Sequence, residues 1–466
     1  MVQTISLGGR KTLVLVAVLL STLTFPLTIT GAALALPDIR ADLGADLAAA
    51  QWVVNAYNAC FAGFLVFAGS LADVVGRRRI FAAGVGLFLT ASALCGIAGD
   101  IAALNGLRAL AGIGAAAAVT GGSAVLAETF DGPARTRAFG LLGTVLGAGT
   151  AFGPTVAGLL VDLLGWRAVF AAPAVVAGLV LALVPFLPPS RGARGRRVDW
   201  PGAVLFTSAL LLLISTLVEG PERGFGSPVT VGGCIAAAAL GVVFTVVERR
   251  RADPMFELGL LANRRFLSFA VAAGAIMAVL VPLLVYLPSY LITVVGLDAG
   301  RAGLWLLMLT VPTVLLPSAG AELAKRLPAV LVVAGSVALS GTGALLLTTI
   351  GPDSTPLRLL LPCLLIGAGA GLTNGLLDGL AISSVRSDQA GTAAGMFNTV
   401  RITSETIGIA AVGAVLAALT AGGLAGEPYT AALRAVCGGL AGLAALAAVC
   451  VVALSRRAPG TPPAGG

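Results

Sequence analysis

Fourteen apolar runs follow one another along the chain, each about as long as a membrane-spanning helix, with short polar loops between them. Apolar residues are continuous within the runs and do not alternate with polar ones, which excludes the strands of a membrane β-barrel. A spanning helix needs about 20 apolar residues. The runs cover residues 12–36, 50–70, 79–98, 102–126, 138–161, 168–187, 201–219, 229–247, 266–291, 301–321, 328–349, 358–382, 392–419 and 433–454. The pattern therefore predicts an all-α integral membrane protein with fourteen transmembrane helices in a lipid bilayer.

The composition agrees with a membrane location. Hydrophobic residues make up 58% of the chain and charged residues 11%, whereas soluble domains contain roughly 25% charged residues. The formal net charge of +8 raises the question of a nucleic-acid partner. The arginines lie in short loops and form no continuous basic stripe, so we expect no nucleic acid among the partners.

Residues that carry enzyme chemistry are scarce. The chain has no histidine, which is the commonest general base and metal ligand. Its six cysteines lie inside apolar runs and form no CxxC pair, so they predict neither a zinc site nor a disulfide framework. We expect no metal, no cofactor and no enzymatic activity.

The first apolar run has some features of a signal peptide. Arg10 and Lys11 precede it, and small residues lie near its end at Pro37. The run is longer than the roughly 7–15 apolar residues of a signal peptide, and many more spans follow. We therefore predict that it is retained as the first transmembrane helix.

Loop arginines and lysines predict the orientation, because cytoplasmic loops carry an excess of both. With the N-terminus in the cytoplasm, the cytoplasmic segments hold 21 of these residues and the outer segments hold 6. The remaining two, Arg108 and Arg401, fall within spans. An even number of spans then places both termini on the cytoplasmic side. We expect the membrane to be that of a bacterial cell.

A basic, proline-containing linker divides the chain. It covers residues 188–200 and includes Arg191, Arg194, Arg196 and Arg197. The predicted domains are a six-helix bundle over 1–187, the linker, two accessory helices over 201–250 and a second six-helix bundle over 251–466.

The loop over residues 69–79 resembles the loop between the second and third helices of the major facilitator superfamily, G-x-L-A-D-R-x-G-R-R. The matching residues are Gly69, Leu71, Ala72, Asp73, Gly76, Arg77 and Arg78, and Val74 stands where the family usually has a basic residue. The resemblance implies a conformational switch formed by Gly69, Asp73, Gly76, Arg77 and Arg78. In it, the Asp73 carboxylate would latch against the positively polarised N-terminal end of the thirteenth helix. The alternative is that the arginines only set the topology.

The order of six, two and six helices resembles the fourteen-span drug:proton antiporters of this superfamily, the EmrB/QacA type. The fifth helix strengthens this resemblance, because Gly149, Gly153, Pro154 and Gly158 resemble the antiporter motif of drug exporters. Gly149, Gly153 and Ala157 recur every four residues and form one smooth face. The motif favours export over uptake.

The fourth helix carries Arg108 inside a span, where a charge is costly and marks a functional candidate. Arg108 and Gly112 resemble the R-x-x-Q-G pattern that the family uses in proton transfer, with Ala111 in place of the glutamine. The alternative is that Arg108 lies near the outer end and extends its charged head to the interface.

The first helix lacks the aspartate that such exporters usually carry about nine residues before Ala35-Leu36-Pro37, and the aligned residue is Thr28. Proton coupling must therefore use another acid. Glu405, near the middle of the thirteenth helix, and Asp378, in the inner third of the twelfth, are the candidates, with Arg401 one turn from Glu405. Two structural alternatives are open: an i,i+4 ion pair between Glu405 and Arg401, and an Asp378 that reaches the cytoplasmic interface.

Polar and aromatic residues within spans are candidates for the substrate cavity. They are Asn55, Tyr57, Asn58, Tyr286, Tyr290, Asn374 and Asn398. Helix packing or an interfacial aromatic belt is the alternative for each of them.

These features predict a monomeric, proton-coupled secondary transporter that exports small organic compounds, such as drugs or antibiotics, by alternating access. Two alternatives are open. One is an importer or uniporter of a metabolite, which Thr28 favours and the fifth-helix motif opposes. The other is a membrane receptor or scaffold that transports nothing, which the intact loop over 69–79 opposes.

Overall fold

The computed structural model describes residues 7–130, 132–188, 199–251, 254, 256, 258–385, 390–420 and 423–456. Within these ranges the regular structure is entirely helical. The helices of the first half and the accessory pair are α1 (Leu7–Leu43), α2 (Leu47–Val75), α3 (Arg77–Cys95), α4 (Ile101–Thr129), α5 (Gly132–Leu164), α6 (Ala168–Leu183), α7 (Trp200–Arg223) and α8 (Pro228–Arg250). Short 3₁₀ turns cover Val184–Phe186 and Leu258–Ala262.

The second half contains nine further helices in its described residues. They are α9 (Arg264–Thr293), α10 (Ala299–Trp305), α11 (Leu307–Leu315), α12 (Pro317–Arg326), α13 (Ala329–Leu347), α14 (Pro356–Thr373), α15 (Leu376–Ser383), α16 (Ala390–Thr420) and α17 (Gly426–Arg456). The all-α prediction is confirmed.

Eleven helices in the described part of the chain are long and apolar enough to cross a membrane, or twelve if the bent pair α11 and α12 counts as one span. Helices α2 and α5 are outside this count and are 29 and 33 residues long. The number of fourteen spans therefore stays a prediction.

Two predicted helices are broken. The run over 301–321 was predicted as one helix, but α10, α11 and α12 divide it, with a bend of 51° between α11 and α12. Pro317 starts α12 and has no N–H to continue the hydrogen bonds of α11. The run over 358–382 breaks after Thr373, and Gly375 adopts a φ of 75° that favours glycine.

The accessory helix α7 lies along the seam between α2 and α16. Thr207 of α7 donates a hydrogen bond to the carbonyl of Gly63 on α2 at 2.8 Å. Apolar residues of α7 form one buried cluster with α2 and α16: Ala59, Ala62, Leu210, Ile214, Val218 and Ala410. Of the predicted linker over 188–200, the structure describes only Pro188, Asp199 and Trp200. Asp199 caps α7 by accepting from the N–H of Gly202 at 3.0 Å.

The two halves meet through α1 with α9, α2 with α16, and α5 with α10 and α11. Helices α2 and α16 run antiparallel. The side chain of Gln51 donates to the carbonyl of Gly413 at 3.0 Å, and the hydroxyl of Thr406 donates to the carbonyl of Asn58 at 3.4 Å. This pairing places the middle of α16, which carries Glu405, beside the middle of α2.

Candidate functional site

One face of α16 carries the polar residues of the candidate site. Asn398, Arg401 and Glu405 are spaced at i, i+3 and i+7, which places them on the same side of a helix. Thr406 lies on the adjacent face, toward α2. The helix therefore brings Asn398, predicted to line the substrate cavity, onto the same side as Arg401 and Glu405, predicted to take part in proton coupling.

The ion pair of Arg401 is with Asp378. Nη1 of Arg401 lies 3.7 Å from Oδ2 of Asp378, and both side chains are partly exposed, at 26% and 34%. In the described residues no ion pair joins Arg401 to Glu405, so the proposed i,i+4 pair is wrong in this conformation. Asp378 is partly exposed and pairs with Arg401, so its place relative to the cytoplasmic interface stays a prediction.

Tyr57 connects this group to the first half of the molecule. The side chain is completely buried and lies within electrostatic range of both Arg108 and Glu405. Its hydroxyl is one of the buried polar atoms for which the described residues offer no hydrogen-bond partner. A water molecule or a substrate group would satisfy such a hydroxyl.

Arg108 is enclosed by helices on all sides. It is 0% exposed, and its Nε donates to the carbonyl of Val53 at 2.7 Å. The guanidinium lies 4.4 Å from the ring centre of Tyr57 and 5.4 Å from that of Phe170. The alternative that Arg108 extends to the interface is therefore wrong. A buried charge held by one carbonyl and two aromatic faces is costly, which supports its selection as a functional candidate.

Asn55 and Asn58 belong to a polar stripe on α2 that also includes Gln51. Both amide atoms of Asn55 are buried, and neither has a partner among the described residues. Asn58 donates to the carbonyl of Val54 at 3.2 Å. Gln51 is absent from the candidates predicted from the sequence, although its spacing of i, i+4 and i+7 with Asn55 and Asn58 is a detectable signal.

The tyrosines of α9 lie in the packed interior of the second half. Tyr286 donates to the carbonyl of Ile409 at 3.3 Å, and the hydroxyls of Tyr290 and Thr430 are 3.1 Å apart. These are contacts between helices, and a role in substrate binding stays a prediction. Asn374, in contrast, is exposed at the break between α14 and α15 and lines a cavity there.

The loop between α2 and α3 is held by its arginines as well as by its glycine. Gly76 has a φ of 112°, which favours glycine, and its N–H donates to the carbonyl of Ala72 at 3.1 Å. Arg77 lies 3.7 Å from Glu128 at the end of α4, and Arg78 donates to the carbonyl of Pro185 at 3.1 Å. These contacts lie at the start of α3, and the role of the arginines in a conformational switch stays a prediction. The side chain of Asp73 lies outside the described part of the structure, and Gly69 lies on α2 four residues before it.

The glycines of α5 face two neighbours. A Cβ at Gly149 would lie 2.9 Å from the ring of Pro26, and one at Gly153 would lie 2.8 Å from the hydroxyl of Thr30, so both glycines pack against α1. A Cβ at Gly158 would collide with the carbonyl of Ala299 at the start of α10. The smooth face predicted for Gly149 and Gly153 therefore packs α5 within its own half, whereas Gly158 joins the two halves.

Further contacts close the same end of α5 onto α10. The hydroxyl of Thr155 donates to the carbonyl of Gly303 at 3.1 Å, and a carboxylate oxygen of Asp162 accepts from the N–H of Gly300 at 2.7 Å. A Cβ at Gly303 would lie 2.5 Å from the carbonyl of Pro154. The charge bias predicts that this end of α5 faces outward, and the two halves are in close contact there. Thr155, Asp162 and Gly303 could not be selected from the sequence, because their partners lie about 140 residues away.

Gly158→Ala should impair closure of this outer end. The added methyl would meet the backbone of α10, and such overpacking costs about 1–3 kcal/mol, which shifts a two-state equilibrium by about tenfold or more. We expect spin labels at Leu163 and Arg301 to move apart and the transport rate to fall. Gly147→Ala on the same helix is the control, because its methyl would make an ordinary contact with Val314 at 3.7 Å. Unchanged label distances in Gly158→Ala would show that the glycine contact does not set the closed state.

Comparisons with known proteins agree with this architecture. The sequence profile of the Major Facilitator Superfamily matches residues 18–408. The chain is 33% identical to the multidrug resistance protein Stp of Mycobacterium tuberculosis over 389 residues, which cover 82% of this chain and 72% of Stp. It is 35% identical to the cephamycin export protein CmcT of Amycolatopsis lactamdurans over 414 residues, 84% of this chain and 82% of CmcT. The crystal structure of the peptide transporter POT in complex with sulfate has the same fold, with a TM-score of 0.71, 16% identity and coverage of 97% of this chain and 99% of that one.

Proposed function

The chain belongs to the major facilitator superfamily, and from that membership we propose that it exports small organic compounds of the drug or antibiotic class across a bacterial cell membrane in exchange for protons. Relatives named for multidrug resistance and for cephamycin export support the export of such compounds. The observation that carries the proton coupling is the placement of Glu405 at mid-span, beside an arginine that is paired with a different acid.

We propose the fourteen-span, EmrB/QacA-type arrangement. Helices α2 and α5 contain 29 and 33 residues. At about 1.5 Å per residue both exceed the roughly 30 Å of a hydrocarbon core. Adding them to the twelve candidate spans gives fourteen, with the accessory helices α7 and α8 between two bundles of six.

Coupling in this proposal rests on competition for one carboxylate. Glu405 binds either a proton or a cationic group of the substrate, and each excludes the other. With Thr28 in place of an acid on α1, its hydroxyl donates to the carbonyl of Thr24 at 2.7 Å and supplies no exchangeable charge. Glu405 is then the mid-span acid that can convert a proton gradient into outward transport. Tyr57 lies within electrostatic range of both Glu405 on α16 and Arg108 on α4.

Alternating access in this proposal uses the two ends of the interface between the halves. The contacts of Gly158, Asp162 and Gly303 close the outer end, and the bend of 51° before α12 turns its inner segment. The described conformation is then open toward the cytoplasm, which is the state that receives substrate for export. Asp73 and the loop over 69–79 would hold the opposite state.

Drug accumulation in intact cells tests this function. Cells that express the protein should accumulate less ethidium than cells with the empty vector, and a proton uncoupler should abolish the difference. A decrease in accumulation that resists the uncoupler would point to export without proton coupling. Increased accumulation would favour the alternative of an importer or uniporter, which Thr28 favours. Equal accumulation in both cells would favour a non-transporting membrane protein.

Cysteine labelling tests the orientation that we propose from the arginine and lysine bias. In a background without the six native cysteines, Arg79→Cys, Arg194→Cys and Arg250→Cys should resist a membrane-impermeant maleimide added to intact cells. Arg358→Cys, in a predicted outer loop, should react and is the control. Strong labelling at the first three positions from outside would contradict cytoplasmic termini and loops.

A further inference from the structure

We propose that Arg401 exchanges its partner between Asp378 and Glu405 when the short helix α15 pivots about Gly375, so that movement of α15 controls whether Glu405 is free to bind a proton or a substrate cation. The inference rests on the proposed function of Glu405. It adds that α15 determines when Glu405 can bind a proton or a substrate cation. In the described conformation Arg401 forms its ion pair with Asp378, with Nη1 lying 3.7 Å from Oδ2.

The chain has a hinge where the pivot requires one. Helix α14 ends at Thr373, and α15 begins at Leu376 and contains only eight residues. Between them Gly375 has a φ of 75°, which interrupts the helix, although the two segments together still form one apolar span over Pro356–Ser383. A Cβ at Gly375 would meet no atom within 4 Å, so packing does not clamp the hinge. Asp378 is on the first turn of α15 and would move with it.

The side of α15 that faces α12 is not closely packed. A cavity of about 390 Å³, open at the surface, lies between α12 and α15 and is lined by Pro317, Ala321, Asn374, Gly375, Leu376, Gly379 and Leu380. Leu376, Gly379 and Leu380 lie on one face of α15, and Asp378 lies on the opposite face at about 100° per residue. Movement of α15 into this cavity therefore withdraws Asp378 from Arg401.

Glu405 is the acceptor that remains when Asp378 withdraws. It lies one turn from Arg401 on the same helix, and residues at i and i+4 have Cβ atoms about 5–6 Å apart. That separation does not change when α15 moves, whereas the distance between Arg401 and Asp378 does. Because a guanidinium inside a span is costly without an anionic partner, the partly exposed Arg401 should turn to Glu405 and displace its proton or cation.

Other charged groups around this pair do not offer Arg401 a competing partner in the described structure. Helix α2 presents Tyr57, behind which lies Arg108. Helix α9 carries charge only at its first two residues, and α7 carries charge only in its last turns. Helix α17 carries Glu427, Arg434 and Arg456, and Glu427 is paired with Arg434 at 3.8 Å. On α12, Glu322 is paired with Lys325 at 2.9 Å and with Arg326 at 3.3 Å.

Carbodiimide labelling of Glu405 tests the exchange without knowledge of the substrate. Dicyclohexylcarbodiimide adds to protonated carboxyl groups in apolar surroundings, so an ion pair with Arg401 should protect Glu405. In the purified full-length protein at neutral pH, Asp378→Asn should lower the labelling rate of Glu405, measured by mass spectrometry, by about tenfold, which corresponds to about 1.4 kcal/mol. Asp378→Asn with Arg401→Gln should restore the rate to within about twofold of the wild type.

The single variant Arg401→Gln keeps the test informative if Asp378→Asn folds poorly. Since Arg401 is paired with Asp378 in this conformation, replacing Arg401 should leave the labelling rate of Glu405 within about twofold of the wild type. A labelling rate in Asp378→Asn equal to that of the wild type, or no recovery in the double variant, would overturn the exchange. If the labelling follows the prediction but Glu405→Gln still exports uphill, the exchange stands and the proposed coupling fails.

Filling the cavity tests the pivot itself. A Cβ at Gly379 has open space, so Gly379→Leu is compatible with the described conformation but would block movement of α15. We expect labelling of Glu405 at the wild-type rate and a decrease in ethidium transport of about tenfold or more. Gly335→Leu on α13, where a Cβ also meets nothing, is the matched control and should transport normally. Normal transport by Gly379→Leu would show that α15 does not move into this cavity.

Discussion

Glu405→Gln should abolish uphill export while leaving downhill exchange of substrate. The amide has nearly the shape of the acid but cannot release a proton, so the competition between proton and cation is lost. In proteoliposomes with an imposed pH gradient, we expect gradient-driven ethidium transport to fall by about a hundredfold, because the loss of one buried charge contact is worth about 3 kcal/mol. Exchange of labelled for unlabelled ethidium without a gradient should persist.

The matched control is Glu219→Gln. Glu219 lies near the end of α7, is partly exposed and pairs with Arg223 at 2.9 Å. Exposed pairs of this kind are worth about 0–1 kcal/mol, so this variant should transport at nearly the wild-type rate. If Glu405→Gln still concentrates ethidium in proportion to the pH gradient, Glu405 is a structural residue and the coupling group lies elsewhere.

Asp73→Asn should abolish transport with little effect on expression or on ligand binding. Helices α2 and α16 pair antiparallel from Gln51 with Gly413 to Asn58 with Thr406, and this order directs the last turn of α2 toward the first turn of α16. A carboxylate there is stabilised by the positive end of the helix dipole by about 0.3–2 kcal/mol. We propose that this contact latches the inner side in the outward-open state, and that the asparagine removes it.

Transport and binding must be measured together to test the latch. Ethidium affinity should stay within about twofold of the wild type while the transport rate falls by about tenfold or more. Asp353→Asn, in the exposed loop between α13 and α14, is the control for loss of an acid and should transport normally. Full transport by Asp73→Asn would contradict the latch.

The helical membrane fold could be predicted from the sequence because it depends on long, continuous apolar runs. The breaks at Pro317 and Gly375 could not be, since the same residue types behave differently elsewhere. Pro154 lies inside α5, which continues from Gly132 to Leu164 without interruption. Neighbouring helices decide whether a proline or glycine ends a helix in a membrane, and the sequence of one run does not contain that information.

The candidate site was predictable to the extent that it lies on one helix. The spacing of Asn398, Arg401 and Glu405 follows from helical periodicity. The pairing of Arg401 with Asp378 depends on how α15 packs beside α16, whereas helical spacing alone offers Glu405 as the nearest carboxylate. The burial of Arg108 against Tyr57 and Phe170 likewise needed the packing of three helices.

Proton release on substrate binding is a direct test of proton and substrate exchange at Glu405. Ethidium added to the purified protein in a weakly buffered solution near neutral pH should release protons, and Glu405→Gln should release none while the binding of ethidium is measured in parallel. We expect proton release to depend on Glu405 and to be retained in Glu219→Gln. Equal proton release by the wild type and by Glu405→Gln, with ethidium bound to both, would contradict exchange of proton and substrate at this carboxylate.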